Sequence, residues 1–395
     1  MNVLAWQQKK QSYLNAWSEA RRILLVRLDS LGDVILMTPA FHAIKETQPQ
    51  ARLSLLTSPV GAQIGALNLD LEEVLTYRSP LTDPWLEVPE TPERELKLVE
   101  ALREREFDAA VIFTSFRQSP LPAALLCYLA GIPLRLGATD DGAGSLLTTR
   151  HHWPPGLYHE VERALGLVGA VGFRTRDPEL VLHLPAPVRR QVRARLAREG
   201  VDPTRPLIVL HPGCAMPART YDWRRFSTAA DLLIERLGAQ IVLTGTRAEV
   251  PLVERIRERM AHPALSWAGE SDLGQLAALI EAADLVVTNN TGPAHVAAAV
   301  KTPVVVLFAW TNPPEQWRPW RVPQRLLNRP VACRLCYQRI CPCGQSCLDI
   351  QPTEVVEAAA DLLEETRLAQ QDAGRAAEGL VAADVYPNPD RLQQA

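Results

Sequence analysis

TNNTGPAHVAAAVKTPVVVLF, residues 288–308, is the stretch on which the reading of the fold turns. Ahead of it, Asp284–Val287 (DLVV) is a short β-branched run that follows the amphipathic helical pattern DLGQLAALIEAA. Behind it, Val304–Phe308 (VVVLF) is a second apolar run. Both have the composition of parallel strands covered on two faces. Between them the small residues AHVAAAVK form a short helix, entered through Asn289-Asn290-Thr291-Gly292-Pro293. Thr291 or Asn290 can cap that helix, Gly292 allows close approach of the backbone to a ligand, and Pro293 gives up no amide the helix would use. Free amides and the helix dipole at such a terminus favour an anion, which makes the turn a phosphate cradle. His295, in the first helical turn, reaches the same anion. A purely structural cap is the plainer reading of the same residues, and the rest of the chain decides between them.

Working outward, the construction recurs. Pro206–Cys214 (PLIVLHPGC) is a strand ending in His211-Pro-Gly, and Ala239–Gly245 (AQIVLTG) is a strand followed by Thr246 and Glu249. Helices are expected at Trp223–Leu237, Val250–Met260 and Asp272–Ala283. The N-terminal half alternates in the same way. Strands are expected at Ile23–Leu28, Ala51–Ser58, around EEVLTY, and at Phe107–Ser115, with helices between, and the helical pattern after Gly32 contains Pro39. Alternation of this kind specifies an α/β fold, here two doubly wound, Rossmann-like domains facing each other across a cleft. The domain plan is an amphipathic helix or extension over residues 1–22, a first domain over 23–190, a link over 191–205, a second domain over 206–367, and a weakly ordered tail over 368–395. Leu180–Leu184 reads as a last strand before the proline-bearing link.

Composition narrows the function. The chain has 395 residues, 47% hydrophobic and 22% charged, the balance of an ordinary globular protein. A formal charge of −3 argues against general nucleic-acid binding. No window approaches the roughly 18 apolar residues of a membrane span, and the first residues lack a secretory apolar core, so a cytoplasmic address is expected. Trp6 and Trp17 with Lys10 in the first segment leave peripheral contact with an anionic membrane open, beside the plainer reading of a helix packed on its own domain. No G-x-G-x-x-G follows either domain's first strand, so a nicotinamide dehydrogenase fits poorly.

Asp33 is the best candidate for a general base: it follows Gly32 at a helix start, at the C-terminal edge of the first strand. Asp29 is the second choice, and helix capping is the plainer reading of Asp33. Arg219, in HPGCAMPARTYDWRRF, sits on a loop entering the second domain's first helix, where Asp222 caps and leaves Arg219 to face the cleft. A cation there would stabilise a departing nucleoside diphosphate. Glu249 accepts hydrogen bonds from ribose hydroxyls or fixes its own loop. Five of the seven cysteines, Cys333, Cys336, Cys341, Cys343 and Cys347, lie close together. Four of them would suit a structural zinc or an iron–sulfur centre; reduced thiols or a redox-labile pair are the alternatives.

Taken together these motifs resemble the bacterial lipopolysaccharide heptosyltransferases, ADP-heptose glycosyltransferases of GT-B fold. The likeness runs from about Arg22 to Leu363. RLDSLGDVILMTPA resembles the family's Gly-Asp loop and HPGCAMPARTYDW the segment with a basic residue two before an aromatic. LTGTRAE resembles its glycine-containing strand end, and NNTGPAHVAAAVKTPVVVLF its diphosphate loop and helix. The resemblance implies that Asp33 is the base, that Arg219 faces phosphate, and that Glu249 lies at the nucleoside. It implies that Thr291, Gly292 and His295, with His211, Thr246, Asn290 and Pro293 around them, hold the donor. It further implies an inverting transfer that requires no cofactor, from ADP-heptose to the lipopolysaccharide inner core or another glycan, by a monomer at the cytoplasmic face of the inner membrane. Where the family loop has aspartate, this chain has Asn290, which leaves open another donor or acceptor, or a nucleotide-sugar-binding protein without transfer activity. An epimerase acting on nucleotide sugars is a further alternative.

Overall fold

The computed structural model describes residues 14–80, 91–115, 118–140, 142 and 144–383. Two six-stranded sheets account for its architecture, and every strand pair is parallel. The first comprises β1 (Arg22–Arg27), β2 (Arg52–Thr57), β3 (Leu71–Thr76), β4 (Ala109–Ile112), β5 (Leu134–Ala138) and β6 (Thr149–His151). Its helices are α1 (Leu31–Thr47), α2 (Gly61–Gly65), α3 (Glu93–Arg103), α4 (Leu121–Leu129) and α5 (Glu160–Gly169). After α6 (Ala186–Arg198) the second sheet is built from β7 (Leu207–His211), β8 (Gln240–Leu243), β9 (Leu265–Ser266), β10 (Leu285–Asn289), β11 (Val304–Leu307) and β12 (Gln324–Leu327). With it come α7 (Trp223–Leu237), α8 (Val250–Arg259), α9 (Leu273–Ala282), α10 (Gly292–Ala299), α11 (Pro314–Trp317) and α12 (Pro352–Ala383).

The strand orders are β3-β2-β1-β4-β5-β6 and β12-β11-β10-β7-β8-β9, the same topology twice. Each order reverses once, between β1 and β4 and between β7 and β10. A crevice opens there at the carboxyl ends of the strands, because the connecting helices leave on opposite faces. The central strands are covered on both sides, which is why they read as continuous apolar runs. Leu25 is level with Leu55 and Val111, Val287 with Leu210 and Val305, and all six are fully buried. The GT-B architecture expected from the sequence is thus present.

Helix α1 runs through Pro39 without ending. The carbonyl of Ile35, which has no amide to receive from Pro39, accepts the Thr38 hydroxyl at 2.7 Å.

Several expectations change. The segment Leu180–Leu184 joins no sheet; its amides go elsewhere, Val181 to Thr38 Oγ1 (2.9 Å) and His183 to the Leu67 carbonyl (2.7 Å). Edge strands β6 (TRH) and β12 (QRLL) are too short and polar to stand out in sequence. Of the tail expected over 368–395, the first part continues the last helix as far as Ala383, and residues 384–395 lie outside the described residues. Of the N-terminal segment, residues 1–13 lie outside the described residues. Trp17 is wholly buried, with its indole N–H on Thr149 Oγ1 (3.2 Å) and its ring edge-on to Phe173. It anchors the first domain and is not available to a membrane surface. Among the described residues no helix is long and apolar enough to cross a membrane.

Candidate active site

The two switch points face each other because the helices that follow β1 and β10 meet at their N-terminal ends. Each presents a glycine to the other. A Cβ on Gly32 of α1 would fall 2.7 Å from the His295 ring of α10, and one on Gly292 of α10 would fall 3.0 Å from a Leu31 methyl. Without side chains at these two positions the helix ends interlock. Beside the contact lies a cleft of about 560 Å³, walled by Asp29 and Asp33 on one side and by Arg219, Thr291, Gly292 and His295 on the other.

Asp33 is the third residue of α1, and one carboxylate oxygen closes a capping box with Ser30, from the amide at 3.1 Å and the hydroxyl at 2.5 Å. The other oxygen accepts Arg27 Nη2 at 2.6 Å. Structural capping and exposure to the cleft therefore coexist in one side chain. Arg27 itself is completely buried, and its Nε lies 2.8 Å from Asp29. Burial would raise the Asp33 pKa, but the Arg27 charge and the Ser30 hydrogen bonds outweigh it and hold the carboxyl below its usual range. Asp29, for which burial prevails, is pushed up. The same guanidinium donates to Ser115, whose hydroxyl is 3.3 Å from Asp33 and 3.4 Å from Glu160. Glu160, buried at the start of α5, is also pushed up by desolvation, and accepts the Gln316 amide from α11 of the second domain. Arg27 is shared among these groups, Glu160 having Arg163 Nε at 3.3 Å as well, and Asp33 is the carboxylate favoured to be ionised.

On the opposite wall Arg219 ends a 3-10 turn, Pro217–Arg219. Asp222 caps α7 as expected, accepting the amides of Arg224 (2.8 Å) and Arg225 (3.2 Å). The Arg219 Nε donates to Thr311 Oγ1 at 2.8 Å, and desolvation lowers its pKa. The carboxylate that acts on its charge is Asp33, across the cleft. Thr291 is the N-cap of α10 in extended conformation, with no side-chain cap bond. Asn290 is buried and donates to Asn312 Oδ1 at 2.9 Å; an aspartate there would require only that the Asn312 amide turn. His295 is buried with Nδ1 unpartnered, and burial lowers its pKa to about 4. It is therefore neutral near pH 7, a dipole on the cleft wall and not a cation.

The remaining donor-side candidates, His211, Thr246, Glu249 and Pro293, are not among the residues that line the cleft. His211 is buried with Nδ1 on Thr244 Oγ1 (3.0 Å), and Pro293 is buried in α10. Glu249 accepts the Thr246 amide (2.7 Å) and hydroxyl (2.9 Å), lies 3.9 Å from His211 Nε2, and presses on Gly213, where a Cβ would fall 2.0 Å from its carboxylate. That is the loop-fixing alternative for Glu249.

The cysteine segment does not form the expected metal centre. Among the described residues no group of three or more His, Cys, Asp or Glu side chains is gathered to hold a metal. Cys347 is buried in the second domain's core, Cys333 and Cys343 are exposed, and Cys336 is half-buried. The Cys341 sulfur takes the backbone amides of Cys343 (3.4 Å) and Gln345 (3.3 Å). The Cys333 and Cys343 side chains are hydrogen-bonded to each other, and that contact, with Cys341 and Cys336 nearby, pushes the Cys343 thiol up.

Sequence reasoning passed over Arg27, Ser115, Glu160 and Gln316. A signal existed for the first: an arginine inside the apolar strand ILLVRL must be paired once buried. Nothing in the sequence connects Gln316 to Glu160.

The profile of glycosyltransferase family 9 (heptosyltransferase) matches residues 95–346. Lipopolysaccharide heptosyltransferase 3 of Escherichia coli K12 is 27% identical over 292 residues, 73% of this chain and 82% of that protein. Lipopolysaccharide heptosyltransferase 2 of the same strain is 26% identical over 306 residues, covering 74% and 84%. Two solved structures superpose over nearly their whole length. A family 9 glycosyl transferase from Veillonella parvula has a TM-score of 0.71 at 21% identity, covering 87% of this chain and 97% of that one. The E. coli ADP-heptose lps heptosyltransferase II has a TM-score of 0.70 at 22% identity, covering 88% and 99%. At these identities the superpositions speak to the fold.

Proposed function

We propose, on the premise that this chain belongs to glycosyltransferase family 9 (heptosyltransferase) and is an enzyme of glycosyl transfer, that it moves a heptose from ADP-heptose to a hydroxyl of the lipopolysaccharide inner core with inversion. The observation that carries this reading is the pairing across one cleft of an ionised carboxylate, Asp33, with a desolvated guanidinium, Arg219, and the Gly292 end of α10.

The acceptor hydroxyl gives its proton to Asp33 as its oxygen attacks the anomeric carbon. The bond from that carbon to the diphosphate oxygen breaks on the opposite face, and the electron pair leaves with ADP. Negative charge growing on the diphosphate falls on Arg219 and on the Gly292 amide with the dipole of α10 behind it, which are in place beforehand. Neutral His295 supplies a hydrogen-bonding ring without a second charge. The acceptor's membrane setting makes peripheral association at the cytoplasmic face of the inner membrane part of the reading.

The test is release of nucleoside diphosphate from a panel of nucleotide sugars, with and without deacylated lipopolysaccharide acceptor. Acceptor-dependent release from ADP-heptose is expected. Release only from another nucleotide sugar would replace the donor. Tight donor binding with no transfer at all would replace the enzyme by a binding protein.

A further inference from the structure

The cysteine-rich segment has a position that suggests a role of its own. It is laid over the two pieces of chain that hold Arg219. On one side Leu335 and Cys336 donate their amides to the Trp310 carbonyl (2.7 and 3.2 Å), and Tyr337 donates to the Thr311 carbonyl (2.9 Å). Thr311 is the residue whose hydroxyl receives Arg219 Nε. On the other side Ala218 donates to the Arg339 carbonyl (2.9 Å), while the Gln345 amide reaches the carbonyls of Pro217 (2.6 Å) and Thr220 (3.0 Å). Leu335, Tyr337 and Gln345 are all held at positive φ, 60°, 52° and 58°. Non-glycine residues in that region persist only where surrounding contacts over-determine the backbone.

The consequence is that Arg339, exposed and in the middle of the segment, lines the cleft together with Arg219, Met216, Thr291 and Gly292. The carboxylates of the cleft, Asp29 and Asp33, belong to the other wall. The geometry points to Arg339 as a second guanidinium for the diphosphate of the donor, carried into the cleft by the cysteine-rich segment acting as a strap. This rests on the transfer reaction proposed above and adds a residue to it from outside the four motifs. A phosphate held between two arginines and a helix N-terminus is the arrangement expected where no single group carries the whole charge of the leaving group.

Binding of ADP and of AMP to the full chain, measured calorimetrically for wild type, R339A, R339K and Q345A, tests it. Loss of one charge-assisted contact predicts roughly 10- to 100-fold weaker ADP binding in R339A, with AMP changed far less. R339K should recover part of the loss, since charge is kept and fork geometry is not. Q345A, which unties the strap from residues 217–220 without touching the cleft, should weaken ADP in the same direction by less. Unchanged melting temperatures in all three would separate these effects from unfolding. R339A binding ADP as tightly as wild type would overturn the inference and leave the proposed reaction standing. A wild-type chain that binds no nucleoside diphosphate would overturn both.

Discussion

The two sheets share one strand order and each offers a crevice at the same topological position, yet the two crevices carry opposite charge. At the β1/β4 reversal the cation is buried beneath the carboxylates: Arg27 lies under Asp29 and Asp33 and faces no solvent. At the β7/β10 reversal the cation is at the surface of the cleft, where Arg219 is tied to Thr311 and the carboxylate that acts on it, Asp33, lies across the gap. A common scaffold therefore supplies position, and the depth at which the arginine sits supplies chemistry. Buried, it sets the charge state of the carboxylates above it; half-buried, it lines the cleft.

The largest expected effect comes from removing the charge on the first wall. Asp33→Asn should lower turnover by about 10²- to 10⁴-fold, because a base acts only in the transition state, while ADP binding changes less than about threefold. Full activity in this variant would transfer the base role to Asp29 or abolish the distinction between the walls. Next, Arg219→Ala should lower turnover by about 10²-fold and weaken ADP binding as well, since its charge meets the diphosphate both before and during departure. Single-turnover rates beside binding constants would separate the two variants: one loses rate alone, the other loses both.

Arg27→Lys sharpens the comparison from beneath. A lysine cannot serve Asp29, Asp33 and Ser115 together as the guanidinium fork does. Asp33 is held below its usual pKa, against its burial, by Arg27 and Ser30, so weakening that hold raises its pKa. The acidic limb of the kcat/KM profile should then move to higher pH. An unmoved limb in a folded variant would show that Arg27 is structural only.

The smallest effect concerns His295, between the walls. Its folded pKa of about 4 lies below the ordinary 6.5, so the unfolded chain binds the extra proton between those values. The stability this contributes is complete above pH 6.5 and is lost progressively as pH falls toward 4. His295→Asn should reduce that acid sensitivity, by at most about 1.4 kcal/mol for each unit of pH. Urea midpoints at pH 7 and pH 5 would read it, and an identical drop in both proteins would count against it.

Much of this molecule is legible in its sequence because parallel strands covered on both faces leave an unmistakable trace. ILLVRL, PLIVLH, DLVV and VVVLF are apolar through most of their length, and the glycine-containing turns after the first, second and third mark where the chain leaves the sheet. Those local signals place Gly32, Asp33, Thr291, Gly292 and His295 at helix starts, and the structure has them there. Asp222 was readable as a cap for the same reason, since capping is decided within four residues. Edge strands β6 and β12 escaped, being short and half-exposed, with no periodicity to betray them.

What only the tertiary structure decided is who stands beside whom across long separations of chain. Gln316 reaches Glu160 from 156 residues away, and Arg339 is brought to the Arg219 turn by a segment whose cysteines suggested a different purpose. The interlock of Gly32 with His295 and of Gly292 with Leu31 belongs to neither helix alone. Charge states follow the same rule. Asp29 and Asp33 are alike in sequence, but burial raises one and a single arginine with a serine lowers the other. Local sequence determined the elements and their ends because propensity, capping and hydrophobic period act over a few residues. Desolvation and Coulomb interaction act through space, so the identity of the ionised carboxylate had to await the fold.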